Sequence, residues 1–345
     1  MLLQLKRNKR AGARTRDGWT ALLPGFAQDL CWSPDSATLA VATLAGPVLL
    51  FAAADGAKIG EDEGHRNGAL RVAFSPAGDR VVSSGQDGHI ISWSTSDGPR
   101  VRRRGGAPWI DALAWDDRGQ RLASAAGHAV RLWTPELELI GELHGYERAV
   151  RGVFWQRGTT KLATVAGTSV SFVDLASSSG PVALERNGEI LAVCIDPGGR
   201  QIATSLSGGS LHVWSSQSQR DLQMLGYRSP VRVMAWSCAS DWLATASRGE
   251  IAVWNLGGAS PAVGPPSMLL GHTGNVTGLA FIAGDRRLLS CDDEGALVDW
   301  RWRGGRFYLD SMRKLGGPLS SLRLSPDGRF AAVARADGQL RCWRV

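Results

Sequence analysis

Six histidines (His65, His89, His128, His144, His212, His272) and five cysteines (Cys31, Cys194, Cys238, Cys291, Cys342) are the side chains of this 345-residue chain with the widest chemistry open to them. A metal site or a hydrolase needs several such groups to converge with carboxylates at short, regular spacing. The cysteines are an odd, scattered set with no Cys-x-x-Cys pair, which fits a reducing compartment. His89 and His212 stand in strand-like runs that end at Trp93 and Trp214, and His128 and His144 fall in turn-like segments. Each reads as a structural histidine. No Gly-x-x-x-x-Gly-Lys-Ser/Thr loop is present, and the glycine-rich runs lack the following helix that a phosphate site requires. The serine clusters at residues 205–207 and 177–179 have no His–Asp pairing. The expectation is a protein without catalytic residues, cofactor or metal.

Composition narrows the class further. Glycine is abundant (43) and tryptophan high (14) against few tyrosines (3), and no stretch is apolar enough to span a membrane. Met1 to Leu5 is too short for the core of a secretory signal and is followed, not preceded, by basic residues. A cytoplasmic location is expected. The net charge of +7 is mild, and part of it sits in Lys6, Arg7, Lys9, Arg10, Arg14 and Arg16. Residues 1–15 read as a flexible basic arm and residues 16–345 as one domain. The arm has two readings, contact with nucleic acid or an anionic surface and a solvated tail; the lack of interleaved aromatics favours the second.

The elements that carry these residues follow a repeat. A strand-like segment ending in a large apolar residue recurs eight times, at Trp32, Phe74, Trp115, Trp155, Ile195, Trp236, Phe281 and Leu324. Turns rich in Ser, Pro, Asp and Gly follow most of them, as in Ser33-Pro34-Asp35 and Ser325-Pro326-Asp327-Gly328. Next come a short strand read as alternating, such as residues 121–124, a tight Gly-containing turn, and a strand closing at Phe51, Trp93, Trp133, Val173, Trp214, Trp254, Trp300 or Trp343. These closing positions are 42, 40, 40, 41, 40, 46 and 43 residues apart, which leaves room for a fourth, outer strand in each unit. Four short strands cannot bury both faces alone, so the units must stack around an axis. The expected fold is all-β, a closed propeller of eight four-stranded blades, with seven blades as the alternative. The last unit ends after its third strand, and residues 18–23 have the position and apolar character to supply the missing one.

Gly271-His272 before a strand, Asp87-Gly88 in a turn and Trp93 closing a strand resemble the WD40-repeat β-propeller family over nearly the whole chain. The resemblance implies a hydrogen-bonded relay of His65, Ser83, Asp87 and Trp93 inside the second blade. Only that blade matches in full: Gly145-Tyr146 and Gly226-Tyr227 stand where Gly-His is expected, and Glu294 stands where the turn Asp is expected. A narrower similarity, carried by residues 220–227, Val231-Arg232 and the Gly/Pro-rich insertion 257–266, is to bacterial WD-repeat proteins grouped with CobW-type metallochaperone GTPases. It implies such a GTPase, or another metal-handling complex, as a partner.

In a propeller the loops entering the inner strands form one rim, and the resemblance implies that partners lie across it. Four residues back from each inner-strand terminus stand Gln28, Leu70, Asp111, Arg151, Leu191, Arg232, Thr277 and Ser320. Arg71, Trp109, Tyr146, Arg151, Tyr227 and Arg232 are the expected partner-binding residues, since aromatic and guanidinium groups anchor protein interfaces and suit an acidic surface. Tyr146 and Tyr227 have a second reading, as replacements for the relay histidine. The expected function is a non-catalytic scaffold or adaptor within a complex. Two alternatives stand beside it. One is an enzyme using Asp29 and Asp111 in the central channel. The other is nucleic-acid binding through residues 100–104 and Arg301, Arg303, Arg306, Arg313 and Lys314, although edge protection explains the first of these runs better.

Overall fold

A computed structural model describes residues 13–15, 18–96, 98, 100–177, 180–215, 221–257 and 264–345. The described residues form strands and turns without a helix, arranged as eight radial sheets in a ring. Blades 1 to 7 are each four antiparallel strands in chain order, and they span residues 27–62, 69–104, 110–143, 150–185, 190–224, 233–270 and 276–314. Blade 8 takes three strands from residues 319–344, and its fourth is Gly18–Leu22, paired from Gly18 opposite Trp343 to Leu22 opposite Gln339. Ala13–Thr15 adds a short fifth strand to that blade. Arg14 thus lies in a strand, whereas residues 1–12 of the basic arm, and Arg16 just after it, lie outside the described residues. Eight blades displace the seven-bladed alternative.

Closure rests on Trp19. Its ring is buried, stacks on Phe51 of blade 1 at 5.7 Å between centroids, and donates Nε1–H to the Ala53 carbonyl at 2.8 Å. The backbone of Gly56 runs so close beneath the ring that a Cβ there would come within 2.5 Å of it, which only glycine allows. Across the same seam Trp32 Nε1 donates to the Arg323 carbonyl. The first strand of each blade lies innermost, and these strands touch at every blade boundary except that between blades 4 and 5. Blades 4 and 5 are joined chiefly by a cluster including Ala163, Val165, Ile190 and Ile202.

The second strands depart from expectation. Leu122–Ala126 is buried at every residue, and Thr38–Thr43 and Trp242–Ser247 are buried at all but their first. Neighbouring blades cover both faces close to the axis, so small and apolar residues run continuously and do not alternate. Blades diverge with radius, and outer strands are correspondingly exposed, as in Arg306–Lys314, where Phe307 alone is buried. Arg301 and Arg303 belong to the eight-residue third strand Ala296–Arg303 of blade 7, whereas Arg306, Arg313 and Lys314 stand on its outer strand.

Candidate functional site

The rim at which inner strands begin has a regular frame. In seven blades the ladder between the first and second strands slips by one residue, and the residue left over is Gln28, Leu70, Asp111, Arg151, Leu191, Thr277 or Ser320. A bulged residue is released from the pairing register, and its side chain is re-aimed. Blade 6 replaces the bulge with a later start: its first strand opens at Val233, and Arg232 N–H bonds the Ala246 carbonyl. Four residues before each inner-strand terminus thus stands the bulge in seven of the eight blades.

The expected rim residues divide. Arg151 and Arg232 are exposed, as is Trp109, which holds a left-handed φ of 70° in the loop entering blade 3. Arg71 is half-buried and donates Nη1–H to the Leu70 carbonyl. Burial pushes the carboxyl of Asp111 above its ordinary value, and the charges of Arg71 and Arg151 oppose that rise. Blades 2, 3 and 4 therefore bring Arg71, Asp111 and Arg151 together. A depression of about 420 Å³ adjoins Arg151 and adds His128, Arg148 and Glu189, which sequence reasoning missed because they lie in turns of no distinctive pattern.

Tyr146 and Tyr227 correct the expectation of two aromatic anchors. The Tyr227 hydroxyl lies 2.8 Å from Thr245 Oγ1 and accepts Trp254 Nε1–H at 2.7 Å, and Tyr146 bonds the Thr164 hydroxyl. Both phenols fill the relay histidine's place, and burial raises both above the usual phenol value. Their second reading is the one the geometry supports.

In blade 2, His65 Nδ1 lies 2.9 Å from Asp87 Oδ1, and Nε2 lies 2.8 Å from Ser83 Oγ. Burial works to raise the Asp87 carboxyl, but the hydrogen bonds from His65 and the His89 backbone, with the charge of Arg102, hold it below its ordinary value. Burial also lowers His65, so the ring is neutral, donates from Nδ1 and accepts the Ser83 hydroxyl at Nε2. Trp93 is half-buried and, among the described residues, makes no hydrogen bond to Ser83. Blade 7 corrects the view that only one blade carries the full set. There Trp300 Nε1 donates to Ser290 Oγ at 2.7 Å, and His272 bridges Ser290 at 2.6 Å and Asp292 at 2.8 Å. Asp292, two residues before Glu294, supplies the carboxylate, while Glu294 accepts from Thr273 instead.

Several of the groups named for other chemistries are occupied. Asp29 accepts Val72 N–H from blade 2 and lies 3.7 Å from Arg323 of blade 8, which makes it a clamp between blades. Burial pushes the Cys31 and Cys194 thiols up to about 11. Among the described residues no three His, Cys, Asp or Glu side chains are grouped as metal ligands. In the arginine run, Arg100 bonds Asp62 and Arg102 bonds Asp87, while Arg301 and Arg303 share Asp310. Residues 221–227 form the outer strand of blade 5 and the loop entering blade 6; Arg220 and residues 258–263 lie outside the described residues.

The family model described as "WD domain, G-beta repeat" matches residues 56–94, 182–215, 219–255, 264–297 and 310–344. Among curated proteins the chain is similar to the SIR4-interacting protein SIF2 of Saccharomyces cerevisiae (20% identical over 81% of this chain and 55% of that protein). It also resembles a ribosome biogenesis protein WDR12 homolog of Chlamydomonas reinhardtii (26%, covering 64% and 48%) and the target of rapamycin complex subunit wat1 of Schizosaccharomyces pombe (23%, covering 62% and 61%). The chain spans about half the length of the first two. Among solved structures, the computationally designed Ika8 protein aligns with a TM-score of 0.76 at 17% identity, covering 94% of this chain and 98% of that one. A chain of a mitotic checkpoint complex structure aligns at 0.65 and 17% identity, covering 100% and 98%. These likenesses show the fold.

Proposed function

Because the chain belongs to the WD40-repeat family, we propose that it is a non-catalytic scaffold that binds protein partners across the rim where its inner strands begin. The observation that carries this reading is the ring of bulges. One backbone device recurs at the same place in seven blades, yet it presents Gln, Leu, Asp, Arg, Leu, Thr and Ser. A constant frame with unlike side chains suits recognition of one particular surface, whereas chemistry would need a converged set. Arg71, Arg151 and Arg232 outnumber Asp111 among the named rim charges, and guanidinium groups grip carboxylates bidentately, so the partner surface is acidic. Trp109, 55% exposed, supplies a rigid aromatic contact.

Relatives named as a SIR4-interacting protein and as a subunit of a target of rapamycin complex support a life within assemblies. A cytoplasmic location rests on the scattered, unpaired cysteines, and a metallochaperone GTPase partner on the sequence similarity alone. Affinity capture from native lysate, followed by mass spectrometry, tests the proposal. The parent should retain a defined set of proteins that an Arg151→Glu/Arg232→Glu variant of equal stability loses. Equal retention by both would overturn the rim as the binding face.

A further inference from the structure

Because blades diverge outward, the space between neighbouring outer strands must be filled by large side chains or stay open. Between blades 6 and 7 it is filled by Trp242, Trp302 and Phe307, with Trp242 edge-on to both of the others. Between blades 8 and 1, Trp19 fills it. Between blades 2 and 3 it is open: a groove of about 580 Å³ lies between Val101–Arg104, the outer strand of blade 2, and Leu139–Leu143, that of blade 3. Its apolar surface is the edge of Trp133, almost fully buried, and Leu139, 53% exposed.

The charge along this groove has one sign and is partly uncommitted. Arg131 lies against Gly106 and is held by Glu142 at 3.1 Å. Arg103 and Arg104 are both exposed; Arg103 contacts only the Arg102 carbonyl, and neither has a carboxylate partner among the described residues. The cations at the two neighbouring positions are spent differently: Arg100 ties blade 2 to Asp62 of blade 1, and Arg102 is drawn to the relay carboxylate Asp87. Protection of a strand edge would be served by any exposed charge. It does not account for two unpaired guanidinium groups beside an exposed leucine over a buried tryptophan.

We propose that the groove between blades 2 and 3 is a second docking site, which takes an extended protein segment alternating acidic and bulky apolar residues. Successive side chains of an extended segment point to opposite sides. One set would cover Leu139 and the edge of Trp133 while the other meets Arg103 and Arg104. A nucleic acid would match the charge but leave the aliphatic surface uncovered. The groove meets the rim at Gly106 and Ala107 in the loop entering blade 3, but Arg103, Arg104 and Leu139 stand on outer strands, so different residues test the two sites.

Fluorescence anisotropy with the intact protein tests the proposal. The probes are a labelled peptide of alternating Asp and Leu, the same peptide with Ser for Leu, and a labelled oligo-dT of equal charge. The Asp/Leu peptide should bind at least tenfold more tightly than either other probe. Arg103→Glu/Arg104→Glu and, separately, Leu139→Ser should each weaken it tenfold or more, whereas Arg151→Glu/Arg232→Glu should not. Circular dichroism melts check that each variant is folded. Equal or tighter oligo-dT binding would overturn the proposal in favour of nucleic acid. Loss of the peptide only in the rim variant would also overturn it, by placing the peptide elsewhere.

Discussion

Trp19→Ala removes the side chain that seals the ring. The tryptophan is 2% exposed, and burying an indole of about 200 Å² at about 25 cal/mol per Å² gives an upper value of about 5 kcal/mol. Its Nε1–H bond to Ala53 adds about 1 kcal/mol. The cavity cannot collapse readily, because the Gly56 backbone and the Phe51 ring that flank it belong to blade 1, which is fixed by its own ladder. The expected loss is therefore about 3–5 kcal/mol, in line with large-to-small core changes and a large share of the stability of an ordinary domain. Trp19→Phe keeps most of the ring and forfeits the hydrogen bond, so it should lose only about 1–2 kcal/mol. Urea unfolding with both variants separates the two contributions, and size-exclusion chromatography detects association through a freed sheet edge. A Trp19→Ala variant within about 1 kcal/mol of the parent, with an unchanged denaturant slope, would refute the view that this strand closes the ring.

The remaining predictions concern blade interiors. Asp87→Ala and Asp292→Ala should each cost about 1–3 kcal/mol by leaving a buried histidine without its acceptor, and an unchanged urea midpoint would count against the relay. Stability should fall on acidification in two ranges, measured by urea unfolding at a series of pH values. His65 is depressed, so its contribution is present above its ordinary pKa of about 6.5 and declines as pH falls below it; Asp87 and Asp292 are depressed, so theirs is present above about 4 and lost as pH falls through their lowered values. His65→Gln should remove the upper component while leaving the lower range. Trp155 Nε1 donates to the Ala114 carbonyl of the preceding blade, whereas Trp115 Nε1 is buried without a partner among the described residues. Trp155→Phe should therefore cost about 1 kcal/mol more than Trp115→Phe, and the reverse order in parallel melts would contradict the assignment.

The strand count, the closing aromatics and the sealing strand were legible because a β-repeat of fixed length leaves large side chains at fixed intervals. Trp32, Trp115, Trp155 and Trp236 each end an inner strand as their spacing implied. Counting back from those termini also found the bulge positions, since the bulge is tied to the strand end. Local pairings were harder to read. Glu294 occupies the turn position, so the relay of blade 7 was hidden, although Asp292 reaches His272 from the end of its strand. Tyr146 and Tyr227 look like surface aromatics in a loop, and only their contacts with Thr164 and Thr245 show them turned inward. Continuous burial of the second strands was missed because short runs such as residues 121–124 look alternating until both neighbouring blades are in place.

Site-specific photo-crosslinking tests the central claim, that partners lie across the inner-strand rim, most directly. A photoreactive amino acid is placed at Gln28, Arg151 or Arg232 on the rim, and at Arg118 or Arg329 in exposed turns that follow inner strands at the opposite end of the blades. In native lysate the three rim positions should crosslink to a shared set of proteins that the two opposite positions do not reach. Crosslinks concentrated at Arg118 and Arg329, with the rim silent, would contradict the account.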